Sequence, residues 1–284
     1  MRNEREMFDL ILHVAKGDER VRGAWLNGSR ANPNVPKDRW QDYDIVYLVK
    51  AMDSFLADHS WIDVFGERLM LQMPETMRDP LGDGRFTYLI LLADGNRIDL
   101  TLVPAEKPGL LGEDSLTVPL LDKDGILPAF PENSDRDYWV KRPSELEFSS
   151  CCNNFWWCIQ NVAKGLVRGE LAYAMTMYHT VVREELHWLL NWYIGAGADF
   201  RVSPGKWGKF YQSHLPEEYY IQYEKTFSGP GFEEGWKAME EMCRLFAGLA
   251  PQTAERLGYL YRKDEEEGML RYLRWLKAGG GGEP

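Results

Sequence analysis

Asp42-Tyr43-Asp44 leads into Ile45-Val46-Tyr47-Leu48-Val49, a run of apolar and β-branched residues. On a strand, residues i and i+2 share a face, so the two carboxylates project together while Tyr43 and Ile45 turn to the other side. Parallel carboxylates repel each other, and a divalent cation between them relieves the repulsion. Hard oxygen ligands that leave positions open for phosphate oxygens suit Mg²⁺. Upstream, Gly28-Ser29 follows the short apolar stretch Arg22-Gly23-Ala24-Trp25-Leu26. A glycine there permits a tight turn and a close approach to a ligand, and its amides with the Ser29 hydroxyl can form a small anion nest. Downstream, Arg97-Ile98-Asp99-Leu100-Thr101-Leu102-Val103 alternates again, with Asp99 as its one acidic position. Taken singly, each piece has a plain structural explanation: a solvated strand end for Asp-x-Asp, a capped turn for Asp99. Taken together, three carboxylates set in otherwise apolar strands are costly unless something neutralises them. The ordered set therefore reads as a two-metal phosphoryl or nucleotidyl transfer site, with Asp42, Asp44 and Asp99 as metal ligands.

The surrounding pattern supplies elements to hold these residues. Met7, Phe8, Leu10, Ile11, Val14 and Ala15 recur at helical spacing, predicting an amphipathic helix from Glu4 to about Lys16. Residues 53 to 65 read as a helix or two short ones, 67 to 73 as a strand ended by Pro74, and 79 to 84 as a loop. A strand over 86 to 92 and the Asp94-Gly95 turn feed the Asp99 strand. From Pro104 to about Pro143 the chain is rich in Pro, Gly and Asp, a long connector with a single short strand or turn near 116 to 121. Beyond Ser144 the periodicity becomes helical, with helices expected over 144–168, 172–194, 216–226, 231–248 and 251–276, and a flexible Gly279–Gly282 end. The expectation is an α+β chain: a mixed β-sheet with helices over 1–140, then an α-helical bundle over 141–284.

The 284 residues, 44% of them hydrophobic, suffice for two sizeable cores. No apolar run approaches a membrane span, and the N-terminus lacks a signal-peptide layout, so the chain is expected to be cytoplasmic with no membrane partner. The four cysteines include the adjacent pair Cys151-Cys152 but no CxxC, which points to buried thiols rather than to zinc or a disulfide framework. A net charge of −11 argues against a nucleic-acid partner and fits a cationic one.

The order Gly-Ser, Asp-x-Asp, later acid resembles the nucleotidyltransferase superfamily of the DNA polymerase β type. Within it the chain looks like the aminoglycoside 6-adenylyltransferases, the streptomycin-modifying branch. The segments that carry the likeness are Leu26-Asn27-Gly28-Ser29-Arg30-Ala31-Asn32, Gln41-Asp42-Tyr43-Asp44-Ile45, residues 61–68, Ile98-Asp99-Leu100-Thr101-Leu102 and residues 162–170. The resemblance implies an enzyme that moves AMP from ATP to an aminoglycoside hydroxyl with Mg²⁺ and releases pyrophosphate. Asp42, Asp44 and Asp99 would be catalytic, Asp99 as general base, and Gly28, Ser29, Arg30 and Lys164 would bind the nucleotide's phosphates. Arg168 lies four residues from Lys164, on the same helix face. His179, Arg183 and His187 form an i, i+4 row that could line a cleft or simply pack, and Glu170, Glu184, Glu185 and the tryptophans are available for an acceptor pocket. Two alternatives stay open: transfer to another hydroxyl acceptor such as a different antibiotic, a protein or RNA, or a catalytically idle nucleotide-binding module.

Overall fold

The computed structural model describes residues 1–80, 82–107, 114–281 and 283. Residue 81 of the expected 79–84 loop, residues 108–113 of the connector and Gly282 of the glycine tail lie outside them. The chain divides into two compact units, Met1–Asp137 and Tyr138–Pro284.

The first unit is built on a six-stranded sheet: β1 (Val21–Asn27), β2 (Tyr43–Val49), β3 (Arg68–Gln72), β4 (Phe86–Leu92), β5 (Arg97–Pro104) and β6 (Val118–Asp122), in the order β3-β4-β5-β2-β1-β6. The β2–β5 pair is parallel and the others antiparallel, so the sheet is mixed, as expected. The two-residue period sorts the side chains onto two faces. Tyr43, Ile45, Tyr47 and Val49 of β2 and Ile98, Leu100 and Leu102 of β5 join one core, with Met7, Ile11 and Ala15 of α1 (Glu4–Gly17) in the same cluster. The Tyr47 hydroxyl donates to the Ile11 carbonyl at 2.6 Å and ties helix to sheet. Val46, Leu48, Trp25 and Val103 face the other way, in a small cluster covered by Leu127 and Phe130. Asp44 and Asp99 have the parity of this second set, at the end of the strands where that cover stops.

The second unit is helical: α4 (Glu145–Val167), α5 (Leu171–Thr176), α6 (Arg183–Gly197), α7 (Tyr211–His214), α8 (Glu217–Lys225), α9 (Phe232–Leu257) and α10 (Lys263–Lys277); the short α2 (Gly28–Ala31) and α3 (Met52–Leu56) belong to the first unit. Ser144 and Glu147 form a reciprocal capping box at the start of α4, the boundary that the sequence pattern marks. The stacked rings of Phe155 and Phe246, 3.7 Å apart, lock α4 to α9. Cys151, Cys152, Cys158 and Cys243 are buried free thiols, and burial pushes Cys152 and Cys243 up to about 12. Among the described residues, no helix is long and apolar enough to cross a membrane.

Two expectations change. The helices expected over 231–248 and 251–276 divide elsewhere, because α9 runs through Pro251 and stops at Gly258, whose φ of 75° suits glycine. Buried Leu249, Ala250, Ala254 and Leu257 on either side outweigh the roughly 3 kcal/mol that an interior proline costs. The helix expected over 172–194 carries a π-helical segment, Met177–Val182, between α5 and α6. There Tyr178 is fully buried and its hydroxyl donates to the carbonyls of Thr226 and Ala238.

Candidate active site

Parallel pairing of β2 with β5 is in register so that Asp44 lies opposite Asp99, and the antiparallel partner of Asp44 on β1 is Asn27. The chain leaves β1 at Asn27 and turns at Gly28, with φ of 73°, into the single turn of α2. A Cβ on Gly28 would lie 2.7 Å from the Asp44 Cγ, so the carboxylate occupies the space that a side chain would need. Asp44 is therefore boxed by backbone on one side and by Asp99 across the strand.

Charge accumulates here. Burial, then Asp99, then Asp42 push the Asp44 carboxyl up from its ordinary 3.8 to about 6, with Arg97 and Arg30 opposing. The counter-charge comes from a residue that the sequence reading did not single out. Arg97 Nε and Nη2 donate to the two Asp99 oxygens, each at 2.7 Å, and its Nη1 stands 3.4 Å from Asp42. One guanidinium bridges two of the three expected metal ligands. The signal was present in the sequence: Arg97 and Asp99 are two apart on one strand and share a face. Among the described residues, no three His, Cys, Asp or Glu side chains are grouped so that they could hold a metal ion as they stand.

Asp42 departs from the strand-face expectation. β2 begins at Tyr43, so Asp42 precedes the strand rather than sharing its pleat with Asp44. What brings it to the site is Arg30. That side chain is 5% exposed; its Nη2 donates to the Gln41 carbonyl at 2.6 Å and its Nε to the Asp42 carbonyl at 3.3 Å. The guanidinium also pairs with Glu4 at 3.2 Å and lies 4.0 Å over the Tyr43 ring. Its polar contacts are to the backbone leading into β2 and to a local acid, Glu4. Gln41 Nε2 donates in turn to the Ser29 carbonyl at 3.3 Å, linking the Gly28-Ser29 turn to the Asp42 segment. Gly28, Ser29, Asp42, Asp44 and Asp99 are thus brought together on adjoining elements of the first unit.

Lys164 belongs to the second unit, in the last turn of α4; its Nζ donates to Gln160 Oε1 at 2.5 Å and stands 5.7 Å from the Tyr272 ring centroid. The His179, Arg183, His187 row lines a cavity of the second unit, with His179 exposed and Arg183 and His187 also tied into the bundle. Arg183 is buried and donates to the Thr226 hydroxyl and carbonyl, while His187 shares a 3.1 Å hydrogen bond with the Tyr223 hydroxyl. Burial, followed by the Arg183 charge, lowers His187 to about 4 and keeps it neutral.

A sequence model of the family described as streptomycin adenylyltransferase matches residues 1–276. The chain belongs to that family. An aminoglycoside 6-adenylyltransferase of Bacillus subtilis (strain 168) is 38% identical over 280 residues, 97% of this chain and 98% of the relative. One from Campylobacter jejuni is 39% identical over 272 residues, covering 94% and 93%. A crystal structure of an aminoglycoside 6-adenyltransferase from Bacillus subtilis shows 34% identity over 98% of this chain and 100% of that one, with a TM-score of 0.49. As a member of the streptomycin adenylyltransferase family the chain is an adenylyltransferase.

Proposed function

We propose that this adenylyltransferase transfers AMP from ATP to a hydroxyl of an aminoglycoside, the 6-hydroxyl of streptomycin, releasing pyrophosphate. Family membership and the 6-adenylyltransferase activity for which its relatives are named support the aminoglycoside 6-adenylyltransferase reading. The structural observation that carries the site is the β2–β5 register, which sets Asp44 beside Asp99 with Gly28 against the Asp44 carboxylate.

The donor set suits Mg²⁺ by its chemistry: once Arg97 withdraws from Asp42 and Asp99, three carboxylates remain. Of these, part-buried Asp44 is held up to about 6 by burial and then by its acidic neighbours, a strain that a hard dication would relieve. Asp42, Asp44 and Asp99 would hold it, and when bound it would neutralise charge building on the α-phosphate and the leaving pyrophosphate. The protein's own residues do the rest. The Gly28-Ser29 amides approach phosphate oxygens, and the family resemblance assigns Lys164 to the phosphates as well. Asp99 takes the proton of the attacking hydroxyl as the oxygen–phosphorus bond forms and the bond to pyrophosphate breaks. For this, Arg97 must release Asp99, moving its guanidinium toward the incoming phosphates.

The test is pyrophosphate release from ATP and Mg²⁺ across a panel of aminoglycosides, with the product's site of adenylylation read by NMR. Release with streptomycin and a 6-O-adenylyl product is expected. Release with no aminoglycoside overturns the reading, and a product modified at another hydroxyl overturns the regiochemistry.

A further inference from the structure

The acceptor is a polycation, and the helical unit contains a cleft suited to one. Glu147, Ser150, Cys151 and Asn154 recur on α4 at intervals of three and four, one helix face; Glu185, Trp188 and Trp192 do the same on α6, which packs against it. Together these seven residues line a cavity of about 530 Å³. Its charged lining is acidic only: two carboxylates and no Lys, Arg or His. Its aromatic lining is a stacked pair, with Trp188 and Trp192 at 5.8 Å and 28° between planes, Trp192 buried and Trp188 48% exposed.

Both acids have hydrogen-bond partners in this unit, exposed Glu147 at the start of α4 and part-buried Glu185 across from it. Glu147 Oε2 accepts from the Ser144 amide and hydroxyl, each at 2.7 Å, as half of the capping box. Glu185 Oε1 accepts from Asn154 Nδ2, and Asn154 Oδ1 accepts from the Cys158 thiol at 3.2 Å. Fixed carboxylates beside an indole face are what a guanidinium or ammonium group needs: a charge-assisted hydrogen bond at its edge and a cation–π contact over its plane. The neighbouring cavity on the other side of Trp188 differs, because Arg183 and Lys206-capped Trp207 bring cations to it.

We propose that the cleft between α4 and α6 binds the cationic groups of the aminoglycoside, with Glu147 and Glu185 as charge partners and Trp188 as the stacking face. The proposal rests on the aminoglycoside reading above. It makes Glu185 and Glu147 specificity residues of the acceptor, without a part in nucleotide binding.

Steady-state KM values for streptomycin and for ATP separate the two roles in the full chain. Glu185→Gln keeps an acceptor for Asn154, and Glu147→Gln keeps a capping-box residue, so both variants are expected to melt like the wild type. Loss of one charged hydrogen bond raises KM for streptomycin about 10- to 100-fold and leaves KM for ATP within about twofold. Trp188→Ala gives the same split without touching either acid. Glu184→Gln, whose carboxylate lines the neighbouring cavity, is expected to change neither constant. An unchanged KM for streptomycin in the Glu185 and Trp188 variants, or a defect in Glu184→Gln alone, overturns the assignment. A wild-type enzyme that releases pyrophosphate with no aminoglycoside instead overturns the reading on which it rests.

Discussion

The Asp44 carboxylate packs against the Cα of Gly28, in the space where any other residue would carry its Cβ. The Gly28-Ser29 turn and the part-buried Asp44 carboxylate are therefore fitted to each other, and neither can be altered alone. Gly28→Ala adds two penalties: a left-handed φ that an L side chain resists by about 1 kcal/mol, and a collision that must push either the turn or Asp44 aside. Displacement of a reacting group by about 1 Å lowers turnover about 100-fold. The expected outcome is a folded variant by circular dichroism whose kcat falls by at least that factor. Wild-type turnover would mean that the close packing has no catalytic consequence.

Asp44 is also a stability liability in the metal-free protein. Its folded carboxyl titrates near 6 against an ordinary 3.8, so the folded state prefers the protonated form. That preference contributes stability that is complete below 3.8 and lost as pH rises through about 6. Above that pH, ionised Asp44 costs up to about 3 kcal/mol. Asp44→Asn is thus expected to abolish adenylylation and at the same time stabilise the first unit above pH 6 in EDTA, the gain shrinking to nothing below 3.8. Urea unfolding across that pH range reads the gain. A variant destabilised at every pH contradicts the charge argument, and one that still turns over contradicts the metal assignment.

Arg97 now serves as counter-ion to Asp99 and Asp42, and its own protonation is reinforced, first by the hydrogen bonds to Asp99. A guanidinium in that place competes with a dication for the same oxygens. Arg97→Gln should therefore lower the Mg²⁺ concentration for half-maximal activity severalfold, while kcat falls if the released guanidinium goes on to meet phosphate. A rise in the Mg²⁺ requirement would show that Arg97 orients the ligands instead of competing for them.

Much of this architecture can be read from residue order because the relevant signals are local. The alternation of β2 and β5, the Ser144-x-x-Glu147 box and the left-handed glycine that opens α2 each act within a few residues. What escaped the sequence depends on partners distant along the chain. Pro251 reads as a break, but α9 is held through it by packing against the rest of the bundle. Asp42 reads as a strand residue, yet β2 starts one position later, and the acid is placed by an arginine twelve residues upstream. The α4–α6 cleft needs two helices about 40 residues apart to meet, so the sequence offered Glu185 and the tryptophans for an acceptor pocket without showing which of them share a cavity with Glu147.

Arg30 poses a choice between two roles, because proximity to the Gly-Ser turn suggests phosphate while its contacts are to scaffold. Its fork satisfies the Gln41 and Asp42 carbonyls, its charge meets Glu4, and its plane covers Tyr43. Removing it leaves buried carbonyls without donors, a loss of about 3 kcal/mol, and loosens the segment that aims Asp42. Arg30→Ala is expected to lower the urea midpoint of the first unit and to reduce kcat, with KM for ATP little changed. Arg30→Lys, which keeps the charge but not the planar fork, should recover only part of the stability. Unaltered stability together with a large rise in KM for ATP would instead assign the guanidinium to the nucleotide.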